Sequence, residues 1–464
     1  MLARSFGIVA LLLLPQSLVR AKGHSQPIDL AIVHASVLDV RAGRVERDRT
    51  ILVRDGIIVS VLPSTATKLS AKLVINAHGH LLTPGLIDAH LHTFLVLPDS
   101  LTMQADSIEA YRRVFAETYL PYGVIAARDV GSSERWMPML LKWMERTPSA
   151  PDFYPSGAQI ISPESGRTPL AHQIVVTDSA AAAAKVREYY ALGIRNIKLY
   201  WRLREPEFKG ALFEAQRLGM NLTGHIDQQV MTIDRALDLG LRNFEHIHTF
   251  AYSVMTDAGF DSVMAQVPTT LGIRPPAFPP TALYMNVPEL WNYLGPNNPR
   301  VLALLARIKV ANASVTPTLH VLAQRLGLAY FQSTPRDSTE NTAVWTALQR
   351  ARTIAGYRVM ALYVRRMYED GIPLSLGTDA HDAGKAALSE MLLLHDAGIP
   401  MAAVFRIATL DTAQDIGHGS EYGSIDVGKR ADLILFDGDP LIRPTDLLGT
   451  KTVFKDGVVW SDGH

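Results

Sequence analysis

Two histidines, His90 and His92, lie two residues apart at the end of an apolar segment, residues 82–92, which reads L-T-P-G-L-I-D-A-H-L-H. Side chains of a β-strand repeat every two residues, so both imidazoles would leave the same face of a strand. There they are close enough to bind one metal ion. One core histidine and one surface histidine would give the same pattern, so a metal site needs further ligands from elsewhere in the chain.

The composition narrows the chemistry of such a site. The 464 residues contain no cysteine, which excludes disulfides and thiolate ligands and leaves histidine, carboxylate or modified lysine. Lys plus Arg and Asp plus Glu number 45 each, so no overall charge favours nucleic acid or an anionic membrane. We therefore expect a small-molecule substrate and no nucleic-acid partner.

The N-terminus has the pattern of a secretory signal. Arg4 precedes a short apolar run, residues 6–14, and V-R-A at residues 19–21 offers small residues for cleavage. The run is shorter than the ~20 residues that span a bilayer. We expect residues 1–21 to be a signal peptide and the mature protein to be exported, periplasmic or secreted, without stable membrane insertion. An uncleaved anchor is the alternative.

The rest of the chain indicates two kinds of structure. Residues 28–77 alternate short β-branched runs with polar turns, which is typical of a small β-sheet module. From residue 81, short apolar strands alternate with helical stretches, and eight such units predict an α/β fold, a TIM-type (β/α)8 barrel. The tail, which includes a predicted strand at residues 423–425, returns to β patterns. We predict that residues 22–80 and 425–464 form a β-sandwich module and that residues 81–424 form the barrel.

One long insertion interrupts the βα rhythm at residues 249–300. It contains the runs I-R-P-P-A-F-P-P and L-G-P-N-N-P. Because long proline-rich connections in compact domains are often functional loops, this insertion predicts a loop that lies over the site.

Further ligand candidates lie where the predicted strands end, which is where such a barrel carries its chemistry. They are Lys198 on the fourth strand, His225 on the fifth, His246 on the sixth and Asp379 on the eighth. Burying an unpaired ammonium group is costly, and carboxylation of Lys198 by carbon dioxide would remove its positive charge. The carbamate would offer two oxygens to two metal ions about 3.5–4 Å apart. A lysine that reaches solvent or pairs with a glutamate is the alternative.

These motifs together resemble the amidohydrolase superfamily, and within it the imidazolonepropionase-like and prolidase-like branch. The resemblance rests on T-P-G-L-I-D-A-H-L-H, the strand-four lysine, the two later histidines, G-T-D at residues 377–379 and the closing segment 423–436. It implies two divalent metal ions, with Zn²⁺ the expected choice, held by His90, His92, Lys198, His225, His246 and Asp379. The first two histidines and the aspartate would bind the more buried ion, the other two histidines the more exposed one, and the carboxylated lysine would bridge them.

The resemblance also implies a reaction. A hydroxide between the two ions would be the nucleophile, and Asp379 would take its proton and pass it to the leaving group. We therefore predict an enzyme, a metal-dependent amidohydrolase that cleaves an amide or peptide-like C–N bond. Small dipeptides, N-acyl amino acids and cyclic amides are the implied substrate classes.

Several residues are weaker candidates. Four are interpreted as substrate-binding groups: Tyr200, Arg167, His248 and His320. The guanidinium of Arg167 would suit a carboxylate. His248 could replace the strand-six ligand, but the dipeptide E-H at residues 245–246 matches the family pattern. The pair Arg128-Asp129 on the second strand is interpreted as structural.

Two other interpretations stay open. A mononuclear cyclic-amide hydrolase or deaminase of the same superfamily would leave Lys198 unmodified and use Asp379 with one ion. A catalytically silent barrel that serves as a binding module is opposed by candidates at all six ligand positions. The oligomeric state is open, a homo-oligomer included.

Overall fold

The computed structural model describes residues 27–64, 70–97, 107–166, 168–226, 230–271, 282–331 and 347–460. The predicted signal peptide and Arg167 lie outside these residues. Within the described ranges, no helix combines the length and apolar character needed to cross a lipid bilayer.

The strands form three hydrogen-bonded sheets. In chain order they are β1 (Ile28–Asp39), β2 (Arg44–Arg54), β3 (Ile57–Pro63), β4 (Ala71–Asn76), β5 (Leu81–Pro84), β6 (Leu86–Leu91), β7 (Val124–Asp129), β8 (Asp152–Pro155), β9 (Gln159–Ile161), β10 (Gln173–Val175), β11 (Asn196–Leu199), β12 (Asn221–Gly224), β13 (Asn243–Glu245), β14 (Ser314–Thr316), β15 (Leu433–Phe436), β16 (Lys451–Lys455) and β17 (Val458–Val459).

The helices lie mostly between the parallel strands. They are α1 (Thr93–Val96), α2 (Ile108–Tyr119), α3 (Met137–Trp143), α4 (Ser179–Ala191), α5 (Glu205–Arg217), α6 (Ile233–Leu239), α7 (Ile247–Val254), α8 (Asp257–Leu271), α9 (Ala282–Leu294), α10 (Pro299–Val310), α11 (Leu319–Leu326), α12 (Ala347–Glu369), α13 (Ala383–Asp396), α14 (Met401–Arg406) and α15 (Thr412–Asp415). Short 3-10 or π turns occupy Leu120–Tyr122, Glu134–Trp136, Ile407–Asp411 and Pro444–Leu448.

Both ends of the chain contribute to one eight-stranded sheet. Its order is β17-β16-β15-β5-β1-β2-β3, with β4 parallel to β1. Alternate side chains of these strands, such as Leu30, Ile32, Ile51 and Val53, form a separate buried apolar cluster. The strands hydrogen-bond as a single continuous sheet where the sequence predicted a sandwich, and β5 belongs to it although residue 81 was predicted to begin the barrel. The predicted domain boundaries stay a prediction.

The strand predicted at residues 423–425 is wrong. Gly423 and Ser424 form bends, Ile425 belongs to no strand, and Gly423 has a φ of 86°. Glycine adopts this left-handed conformation readily, and it turns the chain where a strand would require extended backbone.

The central part of the chain is built from parallel strands. One sheet has the order β6-β7-β8 and the other has the order β10-β9-β11-β12-β13-β14. The chain runs directly from β8 towards β9 and so links the two sheets. At the far side, the extended segment 372–378 lies between β14 and β6, because Ser375 N donates to Val315 O at 3.0 Å and Ala89 N donates to Leu376 O at 2.8 Å. Parallel strands with intervening helices give the predicted α/β architecture.

The loop predicted at residues 249–300 is wrong over much of its length, because the chain forms α8 and α9 there. In α9, Val287, Leu290 and Trp291 are buried at helical spacing, and they outweigh the breaking effect of Pro288. Gly356 of α12 lets the two helices approach closely, since a Cβ at that position would lie 1.9 Å from Pro288 O. The proline-rich run at residues 272–281 lies outside the described residues.

Candidate metal centre

The six side chains that the sequence predicted as ligands come from the C-terminal ends of the parallel strands. They are His90 in β6, His92 just after it, Lys198 in β11, His225 after β12, His246 after β13 and Asp379 after the segment 372–378. The last of these is tied to the first strand, because Asp379 N donates to His90 O at 2.8 Å. This end of the strands is where TIM-type folds carry their chemistry.

Three imidazoles surround one carboxylate. Nε2 of His92 lies 3.6 Å from Oδ1 of Asp379, and Nε2 of His90 lies 3.8 Å from the same oxygen. Nε2 of His246 lies 4.0 Å from Oδ2 of Asp379. Ligand atoms of His90, His246 and Asp379 all lie within 4.8 Å of one another, so a single cation can contact all three.

The second ring nitrogen of each of these imidazoles has a protein partner. Nδ1 of His90 donates to Oε2 of Glu245 at 2.6 Å, and Nδ1 of His92 donates to a backbone carbonyl in the loop after β7 at 3.2 Å. Nδ1 of His246 hydrogen-bonds with the Thr318 hydroxyl at 2.8 Å. Because carboxylate and carbonyl oxygens only accept, the proton of His90 and of His92 lies on Nδ1 and Nε2 keeps a lone pair. Metal-binding histidines typically have such outer partners.

Backbone conformation at the site is unusual. His246, Thr318 and Asp379 have φ angles of 59°, 52° and 47°. A non-glycine residue in the left-handed region costs of order 1–3 kcal/mol and persists only where its surroundings demand it. Such residues cluster at functional sites, and here they include two predicted ligands and the hydroxyl partner of one of them.

Lys198 lies beneath this group. Its side chain is 1% exposed, and its Nζ lies 3.6 Å from Oε1 of Glu245. Burial lowers the pKa of Lys198 to about 8, against the opposing effect of Glu245. Burial alone would raise the pKa of Glu245, but His90, Lys198 and Arg128 hold it well below its usual range. The lysine therefore gives up its proton more easily than an exposed lysine, beside a carboxylate that stays ionised.

The donor set fits a divalent metal ion. In the part of the chain that the structure describes, His90 Nε2 and Lys198 Nζ are buried without a hydrogen-bond partner. Burial is also the main cause that lowers the pKa of His92, His225 and His246 well below the usual range, so these rings are neutral near pH 7. Neutral imidazoles with a carboxylate suit Zn²⁺ and similar ions.

A family model confirms what the motifs suggested. Residues 81–460 match the model of the Amidohydrolase family. The chain belongs to the amidohydrolase family. Membership indicates a metal-dependent hydrolase that acts on carbon–nitrogen bonds.

Individual relatives agree with this assignment. An imidazolonepropionase from Geobacillus sp. (strain WCH70) is 33% identical over 106 residues, which are 21% of this chain and 25% of that protein. The aligned stretch therefore spans only a quarter of that relative's length. Among solved structures, a Xaa-Pro dipeptidase with bound methionine has a TM-score of 0.64 at 18% identity and covers 93% of this chain and 99% of its own. The bottromycin amidohydrolase has a TM-score of 0.66 at 22% identity, and the alignment covers 93% of this chain and 87% of that protein. At these identities the structures show a shared fold.

Two further predicted residues of this amidohydrolase, Tyr200 and His248, lie beside the predicted ligands His225 and His246. The ring centroid of His225 lies 4.7 Å from that of His246 and 5.2 Å from that of Tyr200. His248 is buried and stacks on His246, with centroids 4.8 Å apart. Burial, with a contribution from His90, lowers the pKa of His248 to about 3.

A third substrate-binding candidate, His320, also lies among the described residues. His320 is 1% exposed, and its ring nitrogens have no hydrogen-bond partner among the described residues. Burial lowers its pKa to about 4, so the ring is neutral. Arg167 lies outside the described residues, and its predicted contact with a carboxylate stays a prediction.

Residues that support the ligands were missed or undervalued from the sequence. Glu245 entered only as part of a dipeptide, and Arg128 only as structural, yet Nη2 of Arg128 lies 3.4 Å from Oε1 of Glu245. Asp88 accepts from Thr378 N and from His90 N, both at 3.0 Å, and so ties the strand of His90 to the segment before Asp379. The available signal was a charged residue inside an otherwise apolar strand, since such a group must have a buried partner.

A stack of rings lies beside His92. Phe94 stacks on His92 with centroids 5.0 Å apart, and His172 stacks on Phe94 at 4.4 Å. Burial lowers the pKa of His172 to about 4. The stack brings α1 against the residue that precedes β10, and it covers one face of a predicted ligand.

A cavity of about 730 Å³ lies away from the metal centre. It is lined by Ser314 at the start of β14 and by Pro373 near the start of the segment 372–378. Asp415 of α15 and Gly43, in the turn between β1 and β2, also line it. Because the predicted ligands lie at the opposite strand ends, this cavity is not part of the candidate metal centre.

Proposed function

We propose that this chain is an exported amidohydrolase that uses a binuclear metal centre on a (β/α)8 barrel to cleave an amide or peptide-like C–N bond. One observation carries the proposal: the Nε2 atoms of His90, His92 and His246 lie within 4.0 Å of the Asp379 carboxylate, in a chain of the amidohydrolase family. The predicted signal at residues 1–21 supports export. Recovery of a mature chain that begins near residue 22 would test that part.

The proposed metal ligands are those that the resemblance to the amidohydrolase superfamily implies. His90, His92 and Asp379 would hold one divalent ion, expected to be Zn²⁺, and His225 and His246 would hold the second. A carbamate on Lys198 would reach both. When bound, such ions acidify water and polarise a carbonyl group.

Asp379 moves the proton in this proposal. Burial raises the pKa of its carboxyl group, although His90 and Lys198 oppose the effect. A carboxylate of raised pKa is a better proton acceptor, so Asp379 would take a proton from the attacking water. It would then deliver that proton to the nitrogen that leaves. Its backbone hydrogen bond to His90 O keeps the carboxylate at the strand ends during both steps.

The substrate is a small amide, and the names of similar proteins guide the choice of substrate class. One is an imidazolonepropionase and another is a Xaa-Pro dipeptidase. Dipeptides, N-acyl amino acids and cyclic amides are the classes we propose. Tyr200, His248 and His320 are the proposed substrate contacts on the described chain, and Arg167 is a fourth.

A panel of substrates tests the proposal. The mature chain would be incubated with dipeptides, N-acyl amino acids and cyclic amides in bicarbonate buffer with Zn²⁺, Co²⁺ or Mn²⁺. We expect hydrolysis within at least one class, lost with a chelator and restored by metal. Absence of hydrolysis across the panel with every metal would contradict the proposal and favour a catalytically silent barrel.

A second candidate, a mononuclear hydrolase or deaminase of the same superfamily, has one observation in its favour. Among the described residues, one group of three ligand atoms is compact enough for an ion, that of His90, His246 and Asp379. Lys198 also already has a counter-ion in Glu245. A single bound ion per active chain would select this candidate.

A further inference from the structure

Arg128 is a buried charged residue of the parallel strand β7. It is 1% exposed. Its Nε donates to Ala89 O at 2.8 Å, directly before the ligand His90 in the chain. Its Nη2 lies 3.4 Å from Oε1 of Glu245 and 3.4 Å from Oδ2 of Asp415. One guanidinium therefore contacts the first strand and two buried carboxylates.

Glu245 connects Arg128 to the predicted ligands. Its Oε2 accepts from His90 Nδ1 at 2.6 Å, while its Oε1 accepts from the Thr223 hydroxyl and lies 3.6 Å from Lys198 Nζ. A carboxylate that accepts from Nδ1 fixes the rotation of the imidazole and keeps Nε2 free as a ligand. The orientation of His90 therefore depends on where Glu245 is held.

Asp415 anchors the other end of Arg128. Its Oδ1 accepts from Asn243 Nδ2 at 2.5 Å and from Ser314 Oγ at 2.6 Å. These two donors lie at the first residues of β13 and β14. The carboxylate is thus fixed to the strand N-terminal ends, and Arg128 spans the interior from there to the metal centre.

The charges of this buried group need a permanent cation. Glu245 and Asp415 are two carboxylates, and Lys198 and Arg128 are the cations that contact them. If Lys198 carries a carbamate, as the proposed function requires, it is no longer a cation and adds negative charge beside Glu245. Arginine keeps its charge at any pH a protein meets. Arg128 would then be the cation among the described residues that still contacts Glu245, and removing it from a buried carboxylate is strongly unfavourable.

We propose that Arg128 is a positioning residue that acts through Glu245: it holds that carboxylate against His90 Nδ1 and thereby sets the metal affinity of the centre. This inference rests on the proposed metal site and assigns a role to a side chain outside the ligand set. Loss of an outer partner of a metal ligand typically weakens metal affinity by about 10–100-fold. Arg128→Met should have an effect of that size, and Arg128→Lys, which keeps the charge but loses the fork, a smaller one.

The test measures Zn²⁺ affinity of the purified chain by competition with a chromogenic chelator. The variants are R128M, E245Q and the double variant R128M/E245Q. Arg112→Met is the matched control, because Arg112 is also buried and donates to Lys142 O and Glu145 O, away from the centre. We expect R128M to weaken Zn²⁺ binding about 10–100-fold and R112M to leave it unchanged. In the E245Q background, R128M should cause little further loss, because its path to His90 is already broken.

Each outcome decides the inference. It is overturned if R128M binds Zn²⁺ as tightly as the wild type, or if R128M weakens binding equally with and without Glu245, since a general loss of packing would do that. If R128M does not fold, the Zn²⁺ affinity of Arg128→Lys is compared in its place, in the wild-type and in the E245Q background. A wild-type chain that binds no Zn²⁺ overturns the proposed function itself, whereas tight wild-type binding that R128M does not alter overturns this inference alone.

Discussion

Asp379 is the side chain on which the candidate site converges. Three imidazole nitrogens lie within 4.0 Å of its carboxylate, and burial raises its pKa. Its own φ of 47° is held by the hydrogen bond from its backbone N to His90 O. A carboxylate placed in this way can both bind a cation and move a proton, so the proposed reaction depends on its charge and its basicity.

The residue-scale prediction concerns that carboxylate. Asp379→Asn keeps the shape but removes the basic oxygen, so we expect kcat to fall about 10²–10⁴-fold, the usual contribution of a general base. Steady-state kinetics on the substrate found in the panel would measure this. Asp382→Asn, three residues later at the start of α13, is the matched control and should retain activity. A D379N variant with wild-type kcat would contradict the assigned role.

At the scale of elements, the start of α11 shows how one helix end places a ligand partner. Glu390 of α13 accepts from Leu319 N at 2.9 Å and from His320 N at 2.6 Å. These are backbone donors of the first turn of α11, which helices leave without an internal partner. The preceding residue, Thr318, is then held with its hydroxyl against His246. The helix end therefore contributes to the orientation of a predicted ligand.

Glu390 gives a prediction of pH dependence. Burial raises the pKa of its carboxyl group to about 8, whereas an unfolded glutamate has a pKa of about 4.3. The folded chain therefore binds this proton more tightly, and the stabilisation, complete below about pH 4.3, is lost as the pH rises through about 8. We expect the free energy of unfolding of the wild type to fall over this pH window more steeply than that of Glu390→Gln. The two slopes should differ by at most about 1.4 kcal/mol per pH unit, the contribution of one proton.

Urea unfolding at a series of pH values would measure the two slopes. Parallel slopes for the wild type and E390Q would contradict the raised pKa of Glu390. A steeper slope in E390Q would reverse the sign of the argument.

Local patterns predicted the placement of the ligand candidates because that placement depends on strand period and strand ends. His90 and His92 share a face by a period of two, and His225 and His246 follow strands that the apolar runs had marked. The eighth segment was predicted as a strand, and it is an extended segment with one bridge between Val315 and Leu374. Its short pairing could not be predicted, because it depends on the residues that flank it in space.

Contacts between distant segments could not be predicted from period or composition. Glu245 meets Arg128 across the interior, and neither residue's own strand shows that the other is its partner. The helices of the insertion were missed because prolines were given more weight than the apolar spacing around Pro288. The sandwich was predicted from short β runs, which do not reveal whether strands pair in one sheet or two.

At the scale of the whole molecule, buried charges join the terminal sheet to the parallel strands. Nζ of Lys455 in β16 is fully buried and lies 3.1 Å from Oδ2 of Asp152 at the start of β8. It also lies 3.4 Å from Oδ1 of Asp432. The Tyr422 hydroxyl donates to the same Asp152 oxygen. This network links β15 and β16 to the sheet β6-β7-β8, which carries the predicted ligand His90.

Removing the lysine of this network should destabilise the whole chain. Lys455→Met leaves two buried carboxylates without their shared cation, and we expect a loss of about 3–5 kcal/mol in the free energy of unfolding. Lys451→Met on the same strand is the control, because its Nζ donates to the backbone carbonyl of Gly449. Equilibrium unfolding in urea would measure both. Equal stability of K455M and K451M would contradict the role of this network.

The metal content of the purified mature chain tests the binuclear centre most directly. After equilibration with Zn²⁺ in bicarbonate buffer and removal of free metal, the metal-to-protein ratio would be measured for the wild type and for Lys198→Ala. The account predicts about two ions per wild-type chain, by analogy with other two-metal sites, and at most one in K198A, which lacks the bridging group. Active wild-type protein with less than one ion per chain, or a K198A ratio equal to that of the wild type, would contradict it.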